Sequence, residues 1–377
     1  MAVGTAGMVL TPSSGASCDS FHGCPTMADR NRTYALAQMC ALRRWPEQSA
    51  TARACAAMGV GTSLDAPEQS GERAYCGFGS PRARAWLGGV HRAADGCAIV
   101  LFTVIVGSSD TLAPFPADEH SGGAETVCAI ALVDAPQLAA GANATRALPT
   151  FDTGPPSWRR VALPAERISA SPGRTAHAFK ASMLALFPRA EWVVYADAKT
   201  VLRLPPRALV RRLAALTALP LIVFQHPWNT SPELEAHYSR VRVRFQRRPA
   251  WRQDVADITR AEARYRKEGA YNNQPGMLDA FVVAQQRAPA AAMLAGRTRA
   301  TGHEPPTPRA VLQAFECAWF CEIWLLSMSE QVSFYYTLDT LGARRHSFVV
   351  PTALYNRNEL DKLGKRQQWF DVQKHTA

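Results

Sequence analysis

Tyr195-Ala196-Asp197-Ala198-Lys199 closes a short apolar run that begins at Trp192. A carboxylate and an ammonium two positions apart at the end of a strand suit an anionic phosphate ester. The carboxylate can reach a divalent metal bridging a diphosphate. The ammonium can neutralise the same phosphates as a point charge. The two-carboxylate form of such a turn is Asp-x-Asp, and Lys199 takes its third position. Three readings stay open: Mn2+ or Mg2+ held by Asp197, direct neutralisation by Lys199, and an ordinary solvated turn.

Groups of this kind need strands and helices to aim them. Cys97 to Val106 is an apolar, β-branched run stopped by Gly107 and Asp110, with Thr103 inside it. Val127 to Val133 ends at Asp134, and Leu221 to Gln225 ends at His226. Runs apolar throughout predict strands buried on both faces. Ala176, Phe179, Met183 and Leu186 mark one face of a helix expected from Arg174 to Phe187 and stopped by Pro188. Pro205 and Pro206 open a second helix, with Leu209, Leu213 and Leu216 on one face. Strands alternating with helices predict an α/β fold, a mostly parallel sheet with helices on both faces. Ligands of such sheets bind beyond the carboxyl ends of the strands, where Gly107, Asp110, Asp134, Asp197, Lys199 and His226 collect. Residues 233–268 read as charged and helical, with an Arg-rich insert from Arg240 to Arg248. That insert fits either a solvated insertion or an edge strand with one basic face. Phe315, Trp319, Ile323 and Leu326 mark a last amphipathic helix.

The composition narrows the class. Hydrophobic residues make up 47% and charged residues 19%, so a sizeable core can form. The net charge of +11 comes mostly from arginine and favours anionic partners. No finger spacing, aromatic RNA-binding signature or basic zipper is present, which argues against nucleic acid. No CxxC pair occurs among the nine cysteines, six of which lie at or before Cys97. Zinc-ribbon and thioredoxin readings therefore fail, leaving disulfides of an oxidising compartment or buried thiols. Cys317 and Cys321, four apart, read as buried thiols. Sequons at Asn31, Asn143 and Asn229 add mild support for a secretory address. No apolar run reaches the ~18–20 residues of a spanning helix, and no signal peptide is visible.

From Cys76 to Leu341 the chain resembles the plant turgor-defect (TOD) and mucilage-related (MUCI) glycosyltransferase-like family. The blocks that carry the resemblance, in order, are Tyr75-Cys76-Gly77-Phe78, the Cys97 run with Gly107 and Asp110, Thr126 to Asp134, and Trp158 to Val161. They continue with Arg174, Lys180, Phe187-Pro188 through Asp197 and Lys199, then Tyr271-Asn272-Asn273 with Asp279. Trp319 to Glu322 and Glu330 to Phe334 complete the set. Departures accompany it. Ala185-Leu186 replaces a Pro-His, Glu330-Gln331 stands for Asp-Gln, and Phe281 replaces a glutamine.

The resemblance implies a GT-A-like core and hexosyl transfer from a nucleotide sugar to a glycan or lipid acceptor, in the Golgi or endomembrane lumen. A ceramidase-type lipid amidase and a non-catalytic glycan- or lipid-binding relative are the alternatives. Expected boundaries are an irregular region at 1–95, a catalytic domain at 96–341 and a basic tail at 342–377. Membrane association would come from an upstream anchor or the basic insert. In such chemistry charge builds on the leaving diphosphate, so cations there matter most. Lys199, Arg174 and Lys180 are the candidates, with Asp197 as metal or ribose ligand and Asp110, Gly107, Thr103 and Asp134 near the nucleotide. Glu322 and Glu330, eight apart, are expected on one helix facing one cleft, where one of them or Asp279 acts as base. Gln331, His226 and Trp319 complete the binding set; Trp319 fits either a sugar ring or the core.

Overall fold

A computed structural model describes residues 78, 81–107, 112, 126–135, 158–164, 168, 172–225, 242–243, 252–267, 278–287, 308–325, 330–340, 343–360 and 366–372. Asp110, His226 and most of the Arg-rich insert lie outside them. The elements in chain order are α1 (Pro81–Ala93), β1 (Ile99–Ile105), β2 (Val127–Val133), β3 (Arg159–Ala162), α2 (Pro172–Lys180), α3 (Met183–Leu186), β4 (Trp192–Ala196), β5 (Thr200–Leu202), α4 (Pro206–Leu216) and β6 (Leu221–Gln225). Then follow α5 (Arg252–Lys267), β7 (Leu278–Gln286), α6 (Pro308–Leu325), α7 (Glu330–Thr340), β8 (Ser347–Val350), α8 (Thr352–Tyr355), β9 (Asn356–Leu360), β10 (Arg366–Gln368) and β11 (Phe370–Val372).

Seven strands form one sheet in the order β3-β2-β1-β4-β7-β6-β8. β1 runs parallel to β2 and β4, β2 to β3, and β6 to β8. β7 alone runs antiparallel to its neighbours, β4 and β6. The apolar runs are buried on both faces because side chains alternate along a strand. Val100, Phe102, Val193 and Tyr195 join the core under α1, α2, α5, α6 and α7. Ile99, Leu101, Val194 and Ala196 join the opposite core with Leu209 and Leu213 of α4. The α/β expectation of a mostly parallel sheet between helices therefore holds.

Several local expectations change. The helix expected over 174–187 is two helices. Ser182 bonds its hydroxyl back to the Ala178 carbonyl, 3.1 Å away, and its backbone N–H turns to Phe179, so the α ladder breaks there. Phe179, Met183 and Leu186 still share the core. Arg242 and Val243 are helical rather than extended, and Arg242 pairs with the buried Glu262 at 2.8 Å. The packed unit also runs past 96–341. Phe78 and α1 close one core, while β8 joins the sheet and Trp369 and Phe370 fill the other core. Cys97 and Cys128 form a disulfide with a Cα separation of 5.8 Å, tying the approach to β1 onto β2.

Candidate functional site

The carboxyl ends of β1, β2 and β4 lie together, and a turn at the end of β4 carries the best-furnished corner. Asp197, Ala198 and Lys199 are closed by a bond from the Thr200 N–H to the Asp197 carbonyl, 2.7 Å. Ala198 is buried and packs with Ile105, Ala131 and Val133, which anchors the turn from below. β5 follows at once and pairs with β11, so the C-terminal segment backs the turn. Asp197 and Lys199 on either side of Ala198 stay only part-buried.

Beneath the turn lies a chain of charges. The Tyr195 hydroxyl donates to Asp197 Oδ1 at 2.7 Å. Lys180 Nζ stands 3.4 Å from that oxygen and 3.1 Å from Glu330 Oε1. Glu330 Oε2 meets His177 Nδ1 at 2.9 Å. Lys199 Nζ lies 3.8 Å from Asp197 Oδ2. Each contact has a local cause. His177 and Lys180 are three apart on α2 and so share a side of it. Glu330 sits in the first turn of α7, where the helix dipole favours an anion. Its backbone carbonyl accepts from Trp319 Nε1 at 3.2 Å, which fixes that helix start against α6. The Tyr195 ring packs edge-on against Phe102 and lies 4.6 Å from Lys180 Nζ.

Lys180 is wholly buried. Burial alone would lower its affinity for a proton. Asp197 and Glu330 outweigh that and hold it above the ordinary lysine value. Burial likewise opposes ionisation of Glu330, yet His177 and Lys180 hold its carboxyl well below the usual range.

The remaining candidates fall in different places. Asp134 is buried, and its carboxylate accepts the Gly107 N–H at 2.7 Å, pinning the end of β1 to that of β2. Gly107 has φ +82°, a left-handed backbone that a side chain would strain, with Pro172 3.7 Å from where a Cβ would stand. Thr103 lies mid-strand in β1, wholly buried and opposite Ala131. Arg174 and Gln331 are half-buried in the first turns of α2 and α7, and Lys199 is half-buried in its turn.

Trp319 belongs to the core, stacked on Phe315 and edge-on to Phe334, rather than to a sugar-binding surface. Glu322 and Glu330 occupy separate helices, α6 and α7, so the expectation of one helix facing one cleft is corrected. Glu322 is wholly buried and accepts from Tyr265 at 2.6 Å. Asp279 stands opposite Phe224 in the ladder, near the start of β7. Because β7 is antiparallel, that start lies at the carboxyl ends of β4 and β6. Sequence reasoning missed His177, whose signal was its three-residue spacing from Lys180, and Tyr195 as a donor to Asp197.

The residues around Asp197 fit a divalent cation poorly. One oxygen already takes the Tyr195 hydroxyl and faces Lys180, while the other faces Lys199. Two ammoniums beside one carboxylate repel a third cation. Among the described residues no group of three or more His, Cys, Asp or Glu is arranged to hold a metal.

A mostly parallel seven-stranded sheet between helical layers, with charged groups gathered at its carboxyl edge, defines a layered α/β protein. A family model described as TOD1/MUCI70, glycosyltransferase-like domain, matches residues 69–367, and the chain belongs to that family. Among solved structures, mouse xyloside xylosyltransferase 1 in its apo form is similar at 10% identity and a TM-score of 0.34, over 74% of this chain and 95% of that one. The apo structure of the WbbM bifunctional glycosyltransferase is similar at 12% identity and a TM-score of 0.36, over 69% of this chain and 40% of that one. None of the curated proteins matches the sequence. No helix among the described residues is long and apolar enough to cross a membrane.

Proposed function

We propose that this protein is a hexosyltransferase that moves a sugar from a nucleotide-sugar donor to a glycan or lipid acceptor in the endomembrane lumen. The observation that carries this is the Asp197–Lys199 turn at the carboxyl edge of β4, backed by the buried Lys180, in a chain of a glycosyltransferase-like family. The Cys97–Cys128 disulfide supports an oxidising compartment.

In such a transfer the bond from the anomeric carbon to the diphosphate oxygen breaks, and negative charge gathers on the leaving diphosphate. A fixed ammonium there stabilises that charge more than it stabilises the bound donor. Lys199 is the residue for this role, because its ammonium is part-exposed beside Asp197. Asp197 orients Lys199 and offers an acceptor to a ribose hydroxyl. Glu330 is committed to Lys180 and His177, and Glu322 to Tyr265. That leaves Asp279, by its place at the same edge, as the base for the acceptor hydroxyl.

Calorimetry with a panel of nucleotide sugars, with and without Mn2+, tests the reading. Binding is expected, with about a tenfold or greater loss in Lys199→Met, the scale of one charge-assisted contact. Absence of binding under every condition overturns it. Binding without sugar transfer to any glycan or lipid acceptor assigns the chain as a non-catalytic relative.

A further inference from the structure

Lys180 differs from Lys199 in where its charge can act. Its side chain is wholly buried, so it cannot reach a ligand at the edge of the sheet. Its ammonium instead faces Asp197 Oδ1 on one side, Glu330 Oε1 on another and the Tyr195 ring on a third. Tyr195 adds a hydrogen bond to the same Asp197 oxygen. Asp197 therefore has one oxygen held from inside the protein and the other turned toward Lys199. Glu330 in turn is held by His177 through its second oxygen. The side chain at 330 spans Lys180 and His177 with separate oxygens.

We propose that Lys180 and Glu330 are positioning residues that fix the Asp197 carboxylate, and through it Lys199, without touching substrate. This rests on the reading of the Asp197–Lys199 turn as the donor site. The physical content is that Glu330 locks the buried ammonium in place and Lys180 transmits that lock to Asp197. Loss of Glu330 lets Lys180 swing or collapse onto Asp197, and the carboxylate loses its aim. Buried charge networks couple their members in this way, so their effects are not additive.

The test is a double-mutant cycle on the full chain, reading nucleotide-sugar affinity by calorimetry. Glu330→Gln is expected to weaken donor binding about tenfold in the wild-type background and less than twofold in Asp197→Asn, the coupling range for residues in one network. Equal losses in both backgrounds overturn the proposal, because a merely structural role weakens binding regardless of residue 197. Glu330→Asp is expected to fall between wild type and Glu330→Gln, since the charge stays but its carboxylate sits one methylene farther from Lys180 and His177. Lys180→Met is expected to weaken donor binding by a similar factor; if it fails to fold, the Glu330 arm carries the cycle alone.

The failure of the donor-site reading looks different: the wild-type chain then binds no nucleotide sugar at all. In that case 15N titration of the Lys180 ammonium decides the coupling by itself. It should titrate above ordinary lysine in the wild type and fall in both Glu330→Gln and Asp197→Asn. An ammonium unmoved by either substitution overturns the positioning role.

Discussion

Two buried carboxylates on neighbouring helices behave in opposite ways. Glu330, in the first turn of α7, faces Lys180 and His177 and is held ionised far below the usual carboxylate range. Glu316, on α6, is equally removed from water but meets only amide donors. It accepts the Leu184 N–H at 2.8 Å and the Gln285 side chain at 2.9 Å. Burial dominates there, and its carboxyl is pushed up to about 8. Burial raises both carboxyls; the charged partners of Glu330 reverse that effect, and the amide donors of Glu316 do not. One acid is an electrostatic part of the strand-edge cluster. The other ties α6 to the start of α3 and to β7, and works as a neutral hydrogen-bonding group.

The comparison breaks most sharply at Lys180. Lys180→Met removes the cation and leaves the part-buried Asp197 and the buried Glu330 as neighbouring anions. Losing one partner of a buried pair costs about 3–5 kcal/mol. Denaturant unfolding at pH 7 should show that loss. Glu316→Gln at the same pH should be close to neutral, since the amide keeps an acceptor for Leu184. Comparable losses in the two variants would mean that the partners of Glu330 do not set its charge.

The pH dependence sharpens the same contrast, and the two acids carry opposite signs. Glu316 holds its proton in the folded state up to about 8, whereas unfolded it loses it near the ordinary value. The folded state then binds more protons, so this group reduces stability as pH rises from about 4.5 to 8. The effect is on the order of 3 kcal/mol once relaxation of the buried site is allowed for. Glu330 has a depressed value, so its contribution is full above the unfolded value and is lost on acidification below it. Unfolding free energies across pH 3–9 should show the alkaline decline flattened in Glu316→Gln and the acid decline flattened in Glu330→Gln. An unchanged alkaline limb in Glu316→Gln would place the titration elsewhere.

How much of this the sequence revealed depends on the range over which each signal acts. β2, β4 and β6 have the bounds of their apolar runs, because a strand buried on both faces writes its length directly into composition. β3, with Arg159 and Arg160 on an exposed edge, carries no such run, and β8 offers only Phe348, Val349 and Val350 beside a basic turn. β7 mixes Asp279 and two glutamines into its nine residues, and its antiparallel insertion between β4 and β6 is a nonlocal choice. The corner at Asp197 was legible because strand-end chemistry is local. The burial of Lys180 was not. Its partners lie 17 and 150 residues away, and nothing near it in sequence distinguishes a buried lysine from a surface one.

The third effect concerns the acid on α6 that has a phenol for a partner. Tyr265 donates to Glu322 at 2.6 Å while its ring stacks on Tyr336 at 4.0 Å between centroids. Tyr265→Phe keeps the stack and deletes only the hydroxyl. Taking a donor from a buried carboxyl costs about 1–3 kcal/mol, read as a lower unfolding midpoint with an unchanged denaturant slope. Donor affinity should not move, because the bond removed joins α5 to α6 rather than to the Asp197 turn. A loss of affinity there would return Glu322 to the site.

Tyr195→Phe is the complementary and smallest change. It keeps the edge-on contact with Phe102 and the aromatic face toward Lys180, and removes the hydroxyl that bonds Asp197 Oδ1. Asp197 is partly open to water, which replaces the lost donor, so stability should fall by only about 1 kcal/mol. The consequence for binding is a looser carboxylate rather than a missing one, about a twofold to fivefold weaker donor affinity, because water takes the place of the hydroxyl at a part-exposed carboxylate. The two tyrosine variants therefore separate the regions by their effect on binding: Tyr265→Phe lowers stability and leaves donor affinity, while Tyr195→Phe weakens donor affinity at a smaller cost in stability. Finding donor affinity weakened in both variants would mean that α6 and the end of β4 respond as one unit, and that the division between a structural acid and a site acid does not hold in this fold.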